Sequence, residues 1–148
     1  MPRPRTALAF AIVAGALVLL TLAAWGLDLR ARKAAGPYHV TVEKSGREVA
    51  SYSIEELRAL GMRKVVMDGK LEEGPPLLAV LADAGVAEFT SVTVTGPGVR
   101  DSGTITLARR DIDEDVLLDF ALRGTTKLCG PEIEYSARVR DVERVIVE

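Results

Sequence analysis

The sequence predicts an α+β fold, a mixed and mostly antiparallel sheet with a few short helices, preceded by one transmembrane helix. Three observations carry that expectation. No charged residue occurs between Thr6 and Leu27. Short alternating, β-branched runs recur from Tyr38 to the C-terminus. Two helix signatures interrupt them without the regular strand–helix rhythm of a parallel sheet.

The run from Thr6 to Leu27 holds 22 residues. At about 1.5 Å of helical rise per residue it reaches about 33 Å, enough to cross a hydrocarbon core of about 30 Å. A cleaved secretory signal is the competing reading, with an apolar stretch of about 7–15 residues and a small-x-small cleavage site. Here the run is longer, its best candidate site is Thr21-Leu22-Ala23, and Arg30-Ala31-Arg32-Lys33 follows. Residues 1–33 therefore read as a tail and a retained single-pass anchor, with Trp25 suited to the membrane interface. Arg3 and Arg5 precede the span, while Arg30, Arg32 and Lys33 follow it with Asp28 opposing. Loop charges are thus nearly balanced, and orientation rests on the export arrangement of a basic leader before one span. That arrangement puts the protein in the cell membrane with its soluble domain outside the cytoplasm.

Residues 34–37 read as a linker and 38–148 as one soluble domain, large enough to bury a core without metal or disulfide. Tyr38 to Glu43 alternates as a strand, Lys44-Ser45-Gly46 turns, and Arg47 to Tyr52 returns as a second arm. Ser53-Ile54-Glu55-Glu56 forms a capping box that opens a helix to about Leu60, with Gly61 as its stop. Arg63 to Asp68 reads as a strand. Pro75-Pro76 leads into a helix from Leu77 to Ala84, stopped by Gly85. Ser91 to Thr95 and Thr104 to Leu107 alternate as strands around Gly96-Pro97-Gly98, and Val116 to Leu122 is an apolar segment of either type. Gly124 marks a turn, and Val142 to Val147 closes the chain as a strand.

Charge narrows the partners. Fourteen of the 19 Lys and Arg and 20 of the 21 Asp and Glu follow Lys33, so the soluble part carries about −6. That disfavours nucleic acid and anionic lipid surfaces, and aromatic interleaving for base stacking is absent as well. Cys129 is the one cysteine. It cannot form an intrachain disulfide and reads as a small buried hydrophobe.

The order of these pieces resembles the sulfite-oxidase-type molybdopterin-binding domain. Ser51-Tyr52-Ser53-Ile54-Glu55-Glu56-Leu57 is similar to that family's "Y-S-x-x-E-L" segment. Gly74 to Leu81 followed by Ala84-Gly85-Val86 resembles its "G-x-x-L-x-x-L-L-x-x-A-G-V". Ile105 to Ile112, Val116-Leu117-Leu118, Gly124 and Val139 to Val145 fall in the order of its later strands and turn. The resemblance covers about Tyr38 to Glu148 and implies molybdopterin as cofactor, with a cysteine thiolate on the metal. At the matching stretch, Val65-Val66-Met67-Asp68-Gly69-Lys70, no cysteine occurs. A thioether such as Met67 cannot be deprotonated to replace it. The family's "G-G-P-x-R" is missing before Leu128-Cys129-Gly130-Pro131, and His39 is poorly placed to grip a pterin phosphate.

Other chemistry finds little support. Asp111-Ile112-Asp113-Glu114-Asp115 imitates the start of a calcium loop, but Val116 and Leu122 stand where that loop needs Gly and Glu. The glycine-rich stretch from Gly96 to Gly103 leads into a strand, so no helix N-terminus follows to hold phosphate. Its Arg100, Asp101 and Ser102 are the candidate ligand contacts, being polar groups on a long exposed loop. No motif links His39 to Ser102 or Cys129 for nucleophilic catalysis, and the adjacent Arg109 and Arg110 read as solvated. The expectation is a membrane-anchored, non-catalytic module binding a small ligand or a membrane-protein partner, without metal or cofactor. The alternative is a small molybdopterin-binding oxidoreductase or redox accessory subunit.

Overall fold

A computed structural model describes residues 36–97 and 103–148. The expected anchor and the candidate ligand contacts Arg100, Asp101 and Ser102 lie outside the described residues. Elements run in the order β1 (Val40–Lys44), β2 (Arg47–Tyr52), α1 (Ile54–Ala59), β3 (Arg63–Met67), β4 (Lys70–Gly74) and α2 (Leu77–Asp83). β5 (Ser91–Thr95), β6 (Thr104–Ala108), β7 (Leu117–Phe120), β8 (Thr126–Cys129) and β9 (Arg144–Val147) complete it, with single 3-10 turns at Arg109–Asp111 and Tyr135–Ala137. This is the expected mixed α+β class: mostly strand, few helices, and largely antiparallel sheets.

The main sheet has the order β2-β1-β9-β5-β6. Its pairings are antiparallel except that β1 runs parallel to β9. The last strand thus joins the N-terminal hairpin to the β5–β6 hairpin. Two tight turns set register. Ser45-Gly46 and Asp68-Gly69 have φ of 54°, 72°, 51° and 72°, the positive angles of the two-residue hairpin turn whose twist matches its strands.

The β3–β4 and β7–β8 hairpins form a second layer joined through the chain after β4. The Leu77 N–H donates to the Val116 carbonyl at 2.8 Å and the Leu118 N–H to the Pro75 carbonyl at 3.0 Å. Gly74 makes that approach possible, since a Cβ there would sit 2.0 Å from the Leu118 oxygen.

Both helices are short and held from outside. The Ser53 hydroxyl accepts from the Glu56 N–H at 3.3 Å while the Glu56 carboxylate accepts from the Ser53 N–H at 2.7 Å. This reciprocal cap satisfies two donors that α1 would otherwise leave open. The Tyr52 hydroxyl donates to Asp83 at 2.8 Å, tying the end of β2 to α2. Inward residues of β1, β5 and β9 (Val42, Val94, Val145) meet Leu57 of α1, Leu77 and Leu81 of α2, and Leu118 and Leu128 in one core. Strand alternation turns Leu117 and Cys129 to the opposite face, where they pack with Met67 in a second cluster. β7 and β8 are therefore apolar on one face and partly apolar on the other.

Gly74→Ala is expected to cost about 3 kcal/mol, the upper range for overpacking, because backbone rather than a flexible side chain meets the added carbon. Urea denaturation measures it; a loss under about 1 kcal/mol would mean β4 and β7 do not approach this closely.

Candidate functional site

Beyond the Met67 cluster, the same face of β7 and β8 carries charge. Asp119 lies directly across from Lys127 in the strand register, and Glu72 of β4 sits beside them, 4% exposed. Lys127 Nζ reaches Glu72 at 2.8 Å and Asp119 at 3.2 Å. From the Tyr135–Ala137 turn region, Arg138 reaches down with its side chain 3% exposed, pairing with Glu72 at 3.2 Å and Asp68 at 2.7 Å. The other Asp119 oxygen accepts the Glu73 N–H at 2.7 Å. Burial alone would raise the Glu72 carboxyl, but Lys127, Asp119 and Arg138 outweigh it and hold it below the usual glutamate range. For Asp119 burial prevails, helped by the neighbouring Glu72 charge, and its carboxyl is raised.

Arg138 also frames the surface around it. Its Nε is buried with no hydrogen-bond partner among the described residues. Its side chain borders three cavities, of about 360, 250 and 530 Å³. The first is the cleft of interest, walled by Leu122, Arg123, Lys127, Tyr135 and Arg140. The Tyr135 ring is surrounded by cations: Lys70, Arg138 and Arg140 lie 5.4, 5.2 and 5.7 Å from its centroid, within cation–π range. Arg140 donates to the Tyr135 hydroxyl at 3.2 Å.

Backbone pairing fixes this wall. Lys127 and Arg140 form an isolated bridge, and the Leu128 N–H donates to the Val139 carbonyl at 2.8 Å. Asp141, at φ 52°, accepts from Arg123 at 3.0 and 2.7 Å and from the Thr125 hydroxyl at 2.7 Å. Those three bonds clamp the β7–β8 turn to the cleft. The charge left over is Arg140. Arg123, Lys127 and Arg138 each face a carboxylate, whereas half-buried Arg140 pairs with none among the described residues. A guanidinium beside a phenol hydroxyl, walled by further cations, can bind an oxyanion through charge-assisted hydrogen bonds.

The stretch that resembles the metal-ligand segment forms the tip of the β3–β4 hairpin. Met67 is buried there beside Leu117 and Cys129, so the fold brings the lone cysteine next to a position far from it in sequence. The Cys129 thiol is fully buried and directed at the Leu117 carbonyl, 3.9 Å away. Burial and the Asp119 and Glu72 charges push it up to about 12. The matched stretch itself offers only the Met67 thioether, which cannot be deprotonated, so it does not fit the metal attachment that the resemblance implies.

Other expectations find definite places. Asp113, Glu114 and Asp115 form a solvated corner, with Arg63 reaching Asp115 at 2.6 Å and Glu114 at 3.1 Å. Arg109 lies 5.2 Å from the Phe89 ring and donates to the Ile112 carbonyl. His39 is exposed and precedes β1 rather than lying in it. At the described ends of the loop of residues 98–102, the Gly96 N–H donates to the Gly103 carbonyl at 2.8 Å, and Gly96 abuts the Arg140 and Asp141 carbonyls. Among the described residues, no group of three His, Cys, Asp or Glu side chains is placed to hold a metal ion, and no helix is long and apolar enough to cross a membrane. Sequence reasoning missed the Glu72–Lys127–Asp119–Arg138 network. Its signal was Asp119 inside the apolar Val116-to-Leu122 run, since a buried acid is seldom unpaired. No protein-family model matches the chain, and no curated protein matches it.

Lys127→Met removes the cation shared by two buried carboxylates. The expected loss is about 3 kcal/mol at neutral pH, the low end for breaking a buried pair, because the Lys127 side chain is 26% exposed. The sign with pH follows from Glu72. A lowered folded-state value gives stability above the unfolded value of about 4.5 that is lost as pH falls. The penalty of the variant should therefore shrink near pH 4, where the orphaned carboxyls protonate. Denaturant unfolding at both pH values checks this, and a pH-independent penalty would contradict it.

Proposed function

We propose that this chain is a membrane-anchored, non-catalytic binding module. One span at Thr6 to Leu27 holds the soluble domain outside the cytoplasm, and the domain uses a molybdopterin-oxidoreductase-like scaffold to bind a small anion in the Tyr135–Arg140 cleft. The observation that carries the reading is Arg140, a half-buried guanidinium in the cleft wall with a phenol partner and no carboxylate among the described residues. A counter-charge from outside the domain is the simplest complement to it. The thioether of Met67 at the stretch that resembles the family's metal-ligand segment supports a binding role over metal redox chemistry.

Purified full-length chain in detergent should contain no stoichiometric molybdenum or pterin and should not turn over sulfite or sulfoxide. It should bind inorganic phosphate in calorimetric titration. Arg140→Gln should weaken that binding about tenfold or more, the value of a hydrogen bond to a charged group. Stoichiometric cofactor, or turnover of sulfite or sulfoxide, would favour the oxidoreductase alternative and sink this reading. Unchanged phosphate affinity in the variant would remove the cleft from it. Protease added outside intact cells should digest the soluble domain; protection there would reverse the topology.

A further inference from the structure

We propose that the anion taken by the cleft is the phosphate of a phospholipid headgroup in the membrane to which the domain is tethered. The inference rests on the anchored-module reading above and deepens it by naming the ligand. Three features on one side of the domain point there.

The first is where the chain enters the fold. Tyr38 is the first residue of the compact unit, and its hydroxyl bonds to the Thr126 side chain at 2.8 Å, to the Thr126 N–H at 3.1 Å and to the Val142 carbonyl. Thr126 lines the cleft. Residues 28–37 separate the apolar run from Tyr38. Ten residues reach at most about 35 Å when extended, so a tether of that length leaves the cleft within reach of the bilayer surface. The second feature is apolar exposure. Leu122 is 111% exposed at the tip of the β7–β8 turn and Tyr135 is 48% exposed, and both line this cleft. A protruding Leu beside an aromatic with a polar tip suits the headgroup boundary, where apolar groups enter and a phenol stays hydrated. The third feature is charge. Arg140 supplies a guanidinium with no carboxylate partner among the described residues, and Lys70 adds a second cation on the Tyr135 ring.

The domain's net charge of about −6 opposes this contact only at a distance. Exposed charges are screened beyond about 8 Å at physiological salt, whereas the cleft cations would meet a phosphate at hydrogen-bond range. Anionic headgroups should be preferred over zwitterionic ones, by about fivefold per surface cation.

The test places the full chain in nanodiscs of phosphatidylcholine, with or without phosphatidylglycerol, and follows hydrogen exchange of the 121–125 turn. Phosphatidylglycerol should slow exchange there about fivefold or more. Arg140→Gln should abolish the difference. Leu122→Ser, at a fully exposed position, should reduce it. Equal protection in both kinds of disc that Arg140→Gln leaves unchanged would overturn the headgroup proposal in favour of apolar contact alone. If inorganic phosphate protects the turn in phosphatidylcholine discs and phosphatidylglycerol does not, the small-anion reading stands and the lipid proposal falls. No protection by any of them would overturn both.

Discussion

The Glu72 carboxylate is the charge around which the second layer is arranged. An isolated carboxylate at that depth would cost several kcal/mol in lost hydration, and the fold offsets that cost with two cations from different parts of the chain. Lys127 reaches it from β8 and Arg138 from the segment before β9. Each cation recruits a second acid, Asp119 and Asp68. A single buried charge thus ties β4, β7, β8, the β3–β4 hairpin tip and the pre-β9 segment together. Such a network is costly if any member is removed, which makes it a register device as well as a source of stability.

The cleft is a consequence of that arrangement. With Arg138 drawn inward, the chain on either side of it is held where Tyr135 and Arg140 face outward beside the β7–β8 turn. The Arg123–Asp141–Thr125 bonds then lock the turn against the same segment. Arg138 and Arg140, two residues apart, consequently have different tasks. One neutralises the interior, and the other remains available to a ligand. The hydroxyl of Tyr38 binds this region to the start of the domain.

Much of the fold was legible in the sequence because its strands alternate cleanly and its turns use residues with a mechanism. The Ser53 capping box, Gly85 after α2 and the hairpin from β1 to β2 all form where the residues indicate. β4 escaped notice although Asp68-Gly69 is a strong hairpin signal, because Lys70-Leu71-Glu72-Glu73-Gly74 looks like a solvated surface. Its Glu72 is buried only because Arg138 and Lys127 arrive from more than 50 residues away, which no local window contains. β8 was missed for the same reason, Lys127 disguising a strand otherwise buried on both faces. The parallel β1–β9 pairing depends on the whole sheet order. Arg140 was not separable from its neighbours by sequence, since what distinguishes it is having no carboxylate partner among the described residues. The wall of the cleft is a long-range product; the elements that build it are local.

A double-mutant cycle between Glu72→Gln and Arg138→Met, scored by unfolding free energy, addresses most directly whether this buried pair organises the layer. Residues sharing one buried network should couple, and the account predicts an interaction energy of about 2 kcal/mol. Additivity within about 0.5 kcal/mol would mean that Glu72 and Arg138 act independently, and that the cleft is held by something other than the charge beneath it.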